Sequence, residues 1–413
     1  MDMDLDVAAG TTERWVGVGR SMAGDGYQAG AEAAAEAQAT QAGSDAPSTK
    51  LLIVFISTLH DAEAVLDGIC SVTPDDVLVV GATSMGEIAR GGPGLETMGV
   101  GAAVVAMALG GTGFSASSCV VRDASVDRRQ AGVAACAAMA DIELPHQVLL
   151  MIADGLTRGQ HEVVRGAYSV LGASVPIVGG CSADDVKYEL TYQFHGTGAG
   201  VERLEDSIVA VGLGSSGPFG TGIAHGWEKQ GDAMVVTSSV GGEVFRIDDE
   251  PALDVYLRRI GADRSLLEDD EKFRAAAFDH PLGLSRRSAE DIRVVHSADL
   301  EKGSLLCLAD IPQGALVWTM TTDAEALVAA ATSSCEMAVD GLDGAPALGV
   351  LVFDCGARKL RLRDKDLVAA EQAAIAASTG DAPIAGFYTF GEIARTRGSR
   401  GMHHLTIVAL ALA

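Results

Sequence analysis

Three short segments place a hydroxyl and a carboxylate three residues apart, just after an apolar run: 81–88 (GATSMGEI), 179–186 (GGCSADDV) and 386–393 (GFYTFGEI). They superpose without gaps. In each, glycine lets a backbone or ligand approach closely, the hydroxyl of Ser84, Ser182 or Thr389 both donates and accepts, and Glu87, Asp185 or Glu392 accepts from a cationic group. That is chemistry for holding an amine. A structural reading stands beside it: Glu87 and Glu392 pair with Arg90 and Arg395, three residues on, and merely fix a turn. A fourth candidate feature, Phe353-x-Cys355-x-x-Arg358, leaves an apolar run and brings a thiol beside a guanidinium, which favours thiolate and clamps carboxylates. Inert packing is the alternative for Cys355. The expected ligand site therefore comprises Ser84, Glu87, Ser182, Asp185, Cys355, Arg358, Tyr388, Thr389 and Glu392, acids holding an amine and Arg358 a carboxylate.

Motifs that look catalytic are weaker. Residues 82–86 (ATSMG) imitate a nucleophile elbow, but alanine replaces the first glycine, Ser84 has counterparts in Ser182 and Thr389, and no histidine and acid are assignable to a triad. A serine hydrolase around Ser84 remains the lesser alternative. Residues 212–217 (GLGSSG) spell a dinucleotide fingerprint, yet Pro218 follows and no helix begins there to hold a pyrophosphate. The adjacent His403 and His404 point to opposite faces of a strand and so cannot share one metal, and no metal-binding spacing occurs elsewhere.

These groups need a frame. Apolar runs at Trp15–Gly19, Leu51–Ile56, Val77–Val80, Val100–Ala108, Val148–Ile152, Ile177–Val178, Ile208–Gly212, Met234–Thr237, Leu348–Phe353 and Leu405–Leu412 read as strands. Helical stretches alternate with them, near Gly26–Ala42, Asp61–Ile69, Asp127–Ala140, His161–Leu171, Ala324–Met337 and Val368–Ala377, and Pro251 is placed to open another. The expected fold class is α/β (mixed α+β), two related domains of duplicated strand-helix units with mixed sheets and strand order open. The expected divisions are an acidic mobile tail over 1–13, a first domain over 14–220 and a second over 221–413. Residues 261–303 read only as polar.

Composition narrows function. Lys+Arg of 30 against Asp+Glu of 56 gives a net charge of −26, which repels nucleic acid and anionic membranes. Seven scattered cysteines without a Cys-x-x-Cys pair indicate reduced thiols and a cytoplasmic protein, and the acidic start lacks the basic region of an export signal. Thr97–Val121 carries no charge and is long enough to span a bilayer, but its glycines and Ser-rich end suit a buried strand and loop better.

Taken together, residues 15–21 (WVGVGRS), 80–89 (VGATSMGEIA), 247–256 (IDDEPALDVY), 353–358 (FDCGAR) and 386–394 (GFYTFGEIA) resemble the FIST family, with an amino-terminal and a carboxy-terminal FIST domain over nearly the whole chain. The resemblance implies a sensory protein rather than an enzyme. It implies a small ligand, such as an amino acid or derivative, and coupling to a separate histidine kinase, chemoreceptor or cyclic-dinucleotide enzyme. Some members resemble haem-based nitric-oxide sensors, and under that alternative His195 is the axial candidate. No cofactor is otherwise expected. A protein that only binds partners is the remaining possibility.

Overall fold

The strands Thr49–Ser57, His146–Ala153 and Gly349–Cys355 are apolar on successive residues, so neither face can meet water and each must be covered on both sides. A computed structural model describes residues 13–39, 48–90, 103–285, 290–362, 364–395 and 401–413, and shows how this is done. Three sheets pack their inner faces together around one core, and helices cover each outer face. Leu51, Ile53 and Phe55 point inward with Leu150, Ile152, Leu351 and Phe353, while the alternate Leu52, Val54 and Ile56 meet helices. At the centre the rings of Phe55 and Phe387 stack at 4.5 Å, and Phe353 stands edge-on to both.

The sheets are three copies of one plan. The first runs Trp15–Ser21, Val104–Gly110, Thr49–Ser57, Leu78–Ser84, Gln193–Thr197, Gly200–Leu204. The second runs Phe114–Val121, Ile208–Ser215, His146–Ala153, Ile177–Cys181, Glu392–Arg395, Gly401–His403, and the third Phe219–Ala224, Ile407–Leu412, Gly349–Cys355, Ile384–Thr389, Glu87–Arg90. In each, the third and fourth strands are parallel and every other neighbour is antiparallel.

The fifth strand of every sheet is lent by another unit. After Leu78–Ser84 the chain leaves the first sheet and enters the third; after Ile384–Thr389 it leaves the third for the second; after Ile177–Cys181 it leaves the second for the first. The three segments that superpose in sequence are these crossovers. Mixed sheets and duplicated strand-helix units are present as expected; the unit occurs three times and the copies share strands across residue 220. The core enclosed by the three sheets is therefore common property.

One connection differs. The first strand leads to its helix directly in two units, Ser21 to Gly26 and Val121 to Arg128, whereas between Ala224 and Ala324 the third unit carries an inserted body. It holds an eight-stranded sheet and a core containing Tyr256, Phe273, Leu282 and Val317. Within the stretch read as merely polar lie the helix Asp270–Asp279 and the strands Leu282–Ser285, Glu290–Arg293 and Val295–Asp299. Its helix was masked by the acidic residues of an exposed face. The expected tail 1–13 lies, but for its last residue, outside the described residues, as do 97–102 of the uncharged stretch; the rest of that stretch forms the strands Val104–Gly110 and Phe114–Val121. Among the described residues no helix is long and apolar enough to cross a membrane.

Two consequences are measurable. A chain cut after Gly220 leaves Glu87–Arg90 without its partner and Ile177–Cys181 without one of its two neighbours, so it is expected to lack near-UV circular dichroism and a cooperative thermal transition; a sharp melt would show that the first part is self-sufficient. The outer helices cross at glycines, a Cβ at Gly30 lying 2.1 Å from Val65 O and one at Gly132 1.9 Å from Val163 O. Gly30→Ala and Gly132→Ala should each lower stability by about 2 kcal/mol in urea unfolding, while Gly24→Ala, with nothing within 4 Å, leaves it unchanged.

Candidate functional site

At a crossover the chain turns sharply while buried, so its polar groups must be satisfied locally. Ser84 donates its hydroxyl hydrogen bond to Glu87 and accepts from Gly86 N at 3.1 Å. Thr389 does the same, donating to Glu392 at 2.7 Å and accepting from Gly391 N at 3.2 Å. Glu392 also accepts from the hydroxyl and the backbone N–H of Thr406. The arginine pairings read from sequence do not form. Glu87–Arg90 and Glu392–Arg395 are strands, in which residues three apart face opposite ways, and the arginines go elsewhere: Arg90 to the carbonyls of Ala376 and Gly380, Arg395 over the Tyr168 ring.

The second crossover carries extra residues, and this corrects its alignment. Ser182 sits where Ser84 and Thr389 do, but Asp185 is exposed, and the register partner of the crossover is Gln193, opposite Ala82 as Glu87 is opposite Phe387 and Glu392 opposite Gly180. Gln193 Nε2 donates to Ser182 Oγ at 2.7 Å. An amide thus occupies one of three equivalent sites. Only the spatial register reveals it, because the intervening loop breaks the sequence offset.

Burial governs the two acids. Desolvation pushes Glu87 up to about 8 against its hydroxyl contact and Lys359, and pushes Glu392 up to about 7. Lys359, lowered by its own burial, donates to Met85 O at 2.7 Å and lies over the Tyr388 ring. Ser84, Glu87, Asp185, Lys359, Gln372 and Tyr388 surround a cavity of about 110 Å³. That is room for a few waters and less than small-molecule sites usually offer.

Arg358 is not a ligand clamp. It is fully buried and spends its donors on Asp354 and Glu371, both at 2.7 Å, and on the carbonyls of His225 and Leu327. Tyr388 donates to the same Glu371 at 3.2 Å. Cys355 is buried, and desolvation followed by the charge of Glu392 holds it as a thiol, the reverse of the thiolate expected beside Arg358. All seven cysteines are unpaired.

Larger than the first cavity is a cleft of about 990 Å³ between the three-sheet body and the inserted body. Its floor holds Cys181, Cys355, Thr389 and Phe390, so two of the expected residues reach it; Ser182, Arg358 and Glu392 line neither cavity. One wall is the loop entering the helix Gln160–Leu171. Asp154, buried, holds that loop by accepting from Leu156 N and Thr157 N at 2.8 and 2.9 Å, which presents Arg158. The facing wall is the helix Asp270–Asp279, which presents Glu271, Arg274 and Phe278. Neither Arg158 nor Arg274 has a carboxylate partner among the described residues, in a chain of net charge −26. His161, His296 and His404 also line it; burial lowers His296 and takes His404 to about 3, so those two imidazoles stay neutral. Sequence reading missed Arg158 and Arg274, which stand outside every motif.

His195, the residue named for the haem alternative, lies on the strand Gln193–Thr197 and does not line the cleft; its Nε2 is 2.9 Å from Ser118 Oγ and its Nδ1 3.9 Å from Glu202. His403 bonds Ala394 O while His404 faces the cleft, and no cluster able to hold a metal occurs among the described residues. Gly212 serves packing: a Cβ there would lie 2.2 Å from Ala138 O.

Two outcomes follow. Because the unfolded chain ionises these acids near 4.5 and the folded one keeps their protons, their stabilising contribution is complete below about 4.5 and is lost as pH rises to about 7 for Glu392 and about 8 for Glu87. Glu87→Gln and Glu392→Gln, which copy Gln193, should fold and should each flatten that decline in unfolding free energy measured across pH. Arg358→Met leaves two carboxylates buried without their cation and should lower stability by about 3–5 kcal/mol in urea.

An uncharacterized protein of Methanocaldococcus jannaschii is 27% identical over 175 residues, 40% of this chain and 33% of that protein, so the match spans about a third of that relative's length. The FIST N domain model matches residues 50–250 and the FIST C domain model residues 252–395. FIST domains are small-ligand sensory domains of signalling proteins, and this chain belongs to the FIST family.

Proposed function

We propose that the protein is a sensor whose small acidic ligand lies in the cleft between the three-sheet body and the inserted body. One observation carries this: Arg158 and Arg274, from opposite walls, face one cavity without carboxylate partners among the described residues, although the chain has 56 acids to 30 bases. Two guanidiniums left unpaired amid that excess suit an anion from outside. An amino acid or derivative fits, its carboxylate between the arginines and its amine toward Glu271. A ligand touching both walls favours their approach, and that movement is the signal handed to a separate protein such as a histidine kinase or a cyclic-dinucleotide enzyme. The reading is one of binding in the cytoplasm without catalysis, and Ser84, buried and committed to Glu87, supports it.

Calorimetric titration with a panel of amino acids and their N-acyl derivatives tests the site. Arg158→Ala and Arg274→Ala should each weaken the binding ligand about 10- to 100-fold, the loss expected of a charge-assisted contact. Wild-type affinity in both variants would remove the cleft from consideration.

A further inference from the structure

Besides the inserted body, one crossover departs from the threefold plan. Two crossovers pass from hydroxyl to acid through two residues, Met85-Gly86 and Phe390-Gly391; the second inserts a loop before Gln193. This loop is costly in conformation. Val186, at φ 63°, and Tyr188, at φ 55°, both occupy the left-handed region, which a β-branched residue strongly avoids. Buried Asp184 enforces it, accepting from the N–H groups of Tyr188, Glu189 and Leu190 at 3.0, 2.8 and 3.3 Å.

The loop brings Val186 and the ring of Tyr188 to the cleft. The Tyr188 ring stacks on Phe390 of the third crossover at 5.0 Å and 20°, yet Tyr188 is 56% exposed. A large aromatic backed on one face and open on the other, in a strained loop held by a buried acid, is a platform more than a core residue. Arg274 is near enough for its charge to act on the Tyr188 hydroxyl. Phe278 lines the same cleft.

We propose that the cleft selects a planar anion: an aromatic or heteroaromatic ring lies on the open face of Tyr188, and its carboxylate or phosphate reaches Arg158 and Arg274. This rests on the cleft being the ligand site and adds the class of ligand. An aromatic acid and a nucleotide share that chemistry, so the probes separate them.

Affinities of indole-3-acetate, adenosine monophosphate, cyclohexylacetate and uncharged indole would be measured by calorimetry on the full chain, with Tyr188→Leu, Tyr188→Phe and Arg158→Ala. At least one planar anion should bind about tenfold or more tighter than cyclohexylacetate, with the preferred one naming carboxylate or phosphate. Tyr188→Leu should abolish that advantage while changing cyclohexylacetate less than about twofold, and Tyr188→Phe should keep it. Equal affinity for planar and saturated acids, an advantage surviving Tyr188→Leu, or no binding of either planar anion overturns the platform. If planar and saturated acids bind equally and both weaken in Arg158→Ala, the platform falls and the cleft stands; if binding is indifferent to Arg158→Ala, the cleft falls as well.

Discussion

The architecture depends on burying a change of direction. At each crossover the chain stops pairing with one sheet and starts pairing with another, inside a core where an unpaired N–H or C=O would be penalised heavily. The turns satisfy one another: Met85 N bonds Tyr388 O, Tyr388 N bonds Gly86 O, Ala183 N bonds Thr83 O, and Cys181 N bonds Gly391 O. A hydroxyl clasped to an acid or an amide closes each turn from the side-chain direction. Glutamate serves at two of these sites because it can keep its proton there, at which point it is nearly the hydrogen-bonding equal of glutamine.

A frame so constrained commits much of its own polar chemistry. The regular crossovers consume Ser84, Thr389, Glu87 and Glu392 in their own closure, and Arg358 is consumed in neutralising Asp354 and Glu371. In the proposed reading, the charged and aromatic groups that meet a ligand stand outside those turns, on the loop around Asp184, the loop after Asp154 and the inserted body.

Much of the frame was legible in sequence because its cause is local. Strands buried on both faces are continuous apolar runs, and helices such as Ala62–Val72 announce themselves with a capping Asp61. The repeat was legible since all three crossovers solve one problem with similar side chains. Its interpretation was not: an acid three residues past a hydroxyl looks like a ligand contact whether or not it turns back on that hydroxyl, and helical spacing suggested arginine partners that strand geometry denies. Gln193 was hidden by the added loop. Arg158 and Arg274 belong to elements distant in sequence, so their meeting across one cleft is a property of the fold alone.

Sharing strands also shapes how the molecule is made. Gly349–Cys355 waits for Ile407–Leu412, and Glu87–Arg90 waits for Ile384–Thr389, a pairing that spans about 300 residues. Of the three sheets that share strands, only the first can be completed while the C-terminal strands are still in the ribosome. Until then Ile177–Cys181 presents an open edge, which invites pairing with other chains. Such a nascent chain folds late and as a whole, and its yield in the cell rests on how well that edge is shielded during synthesis.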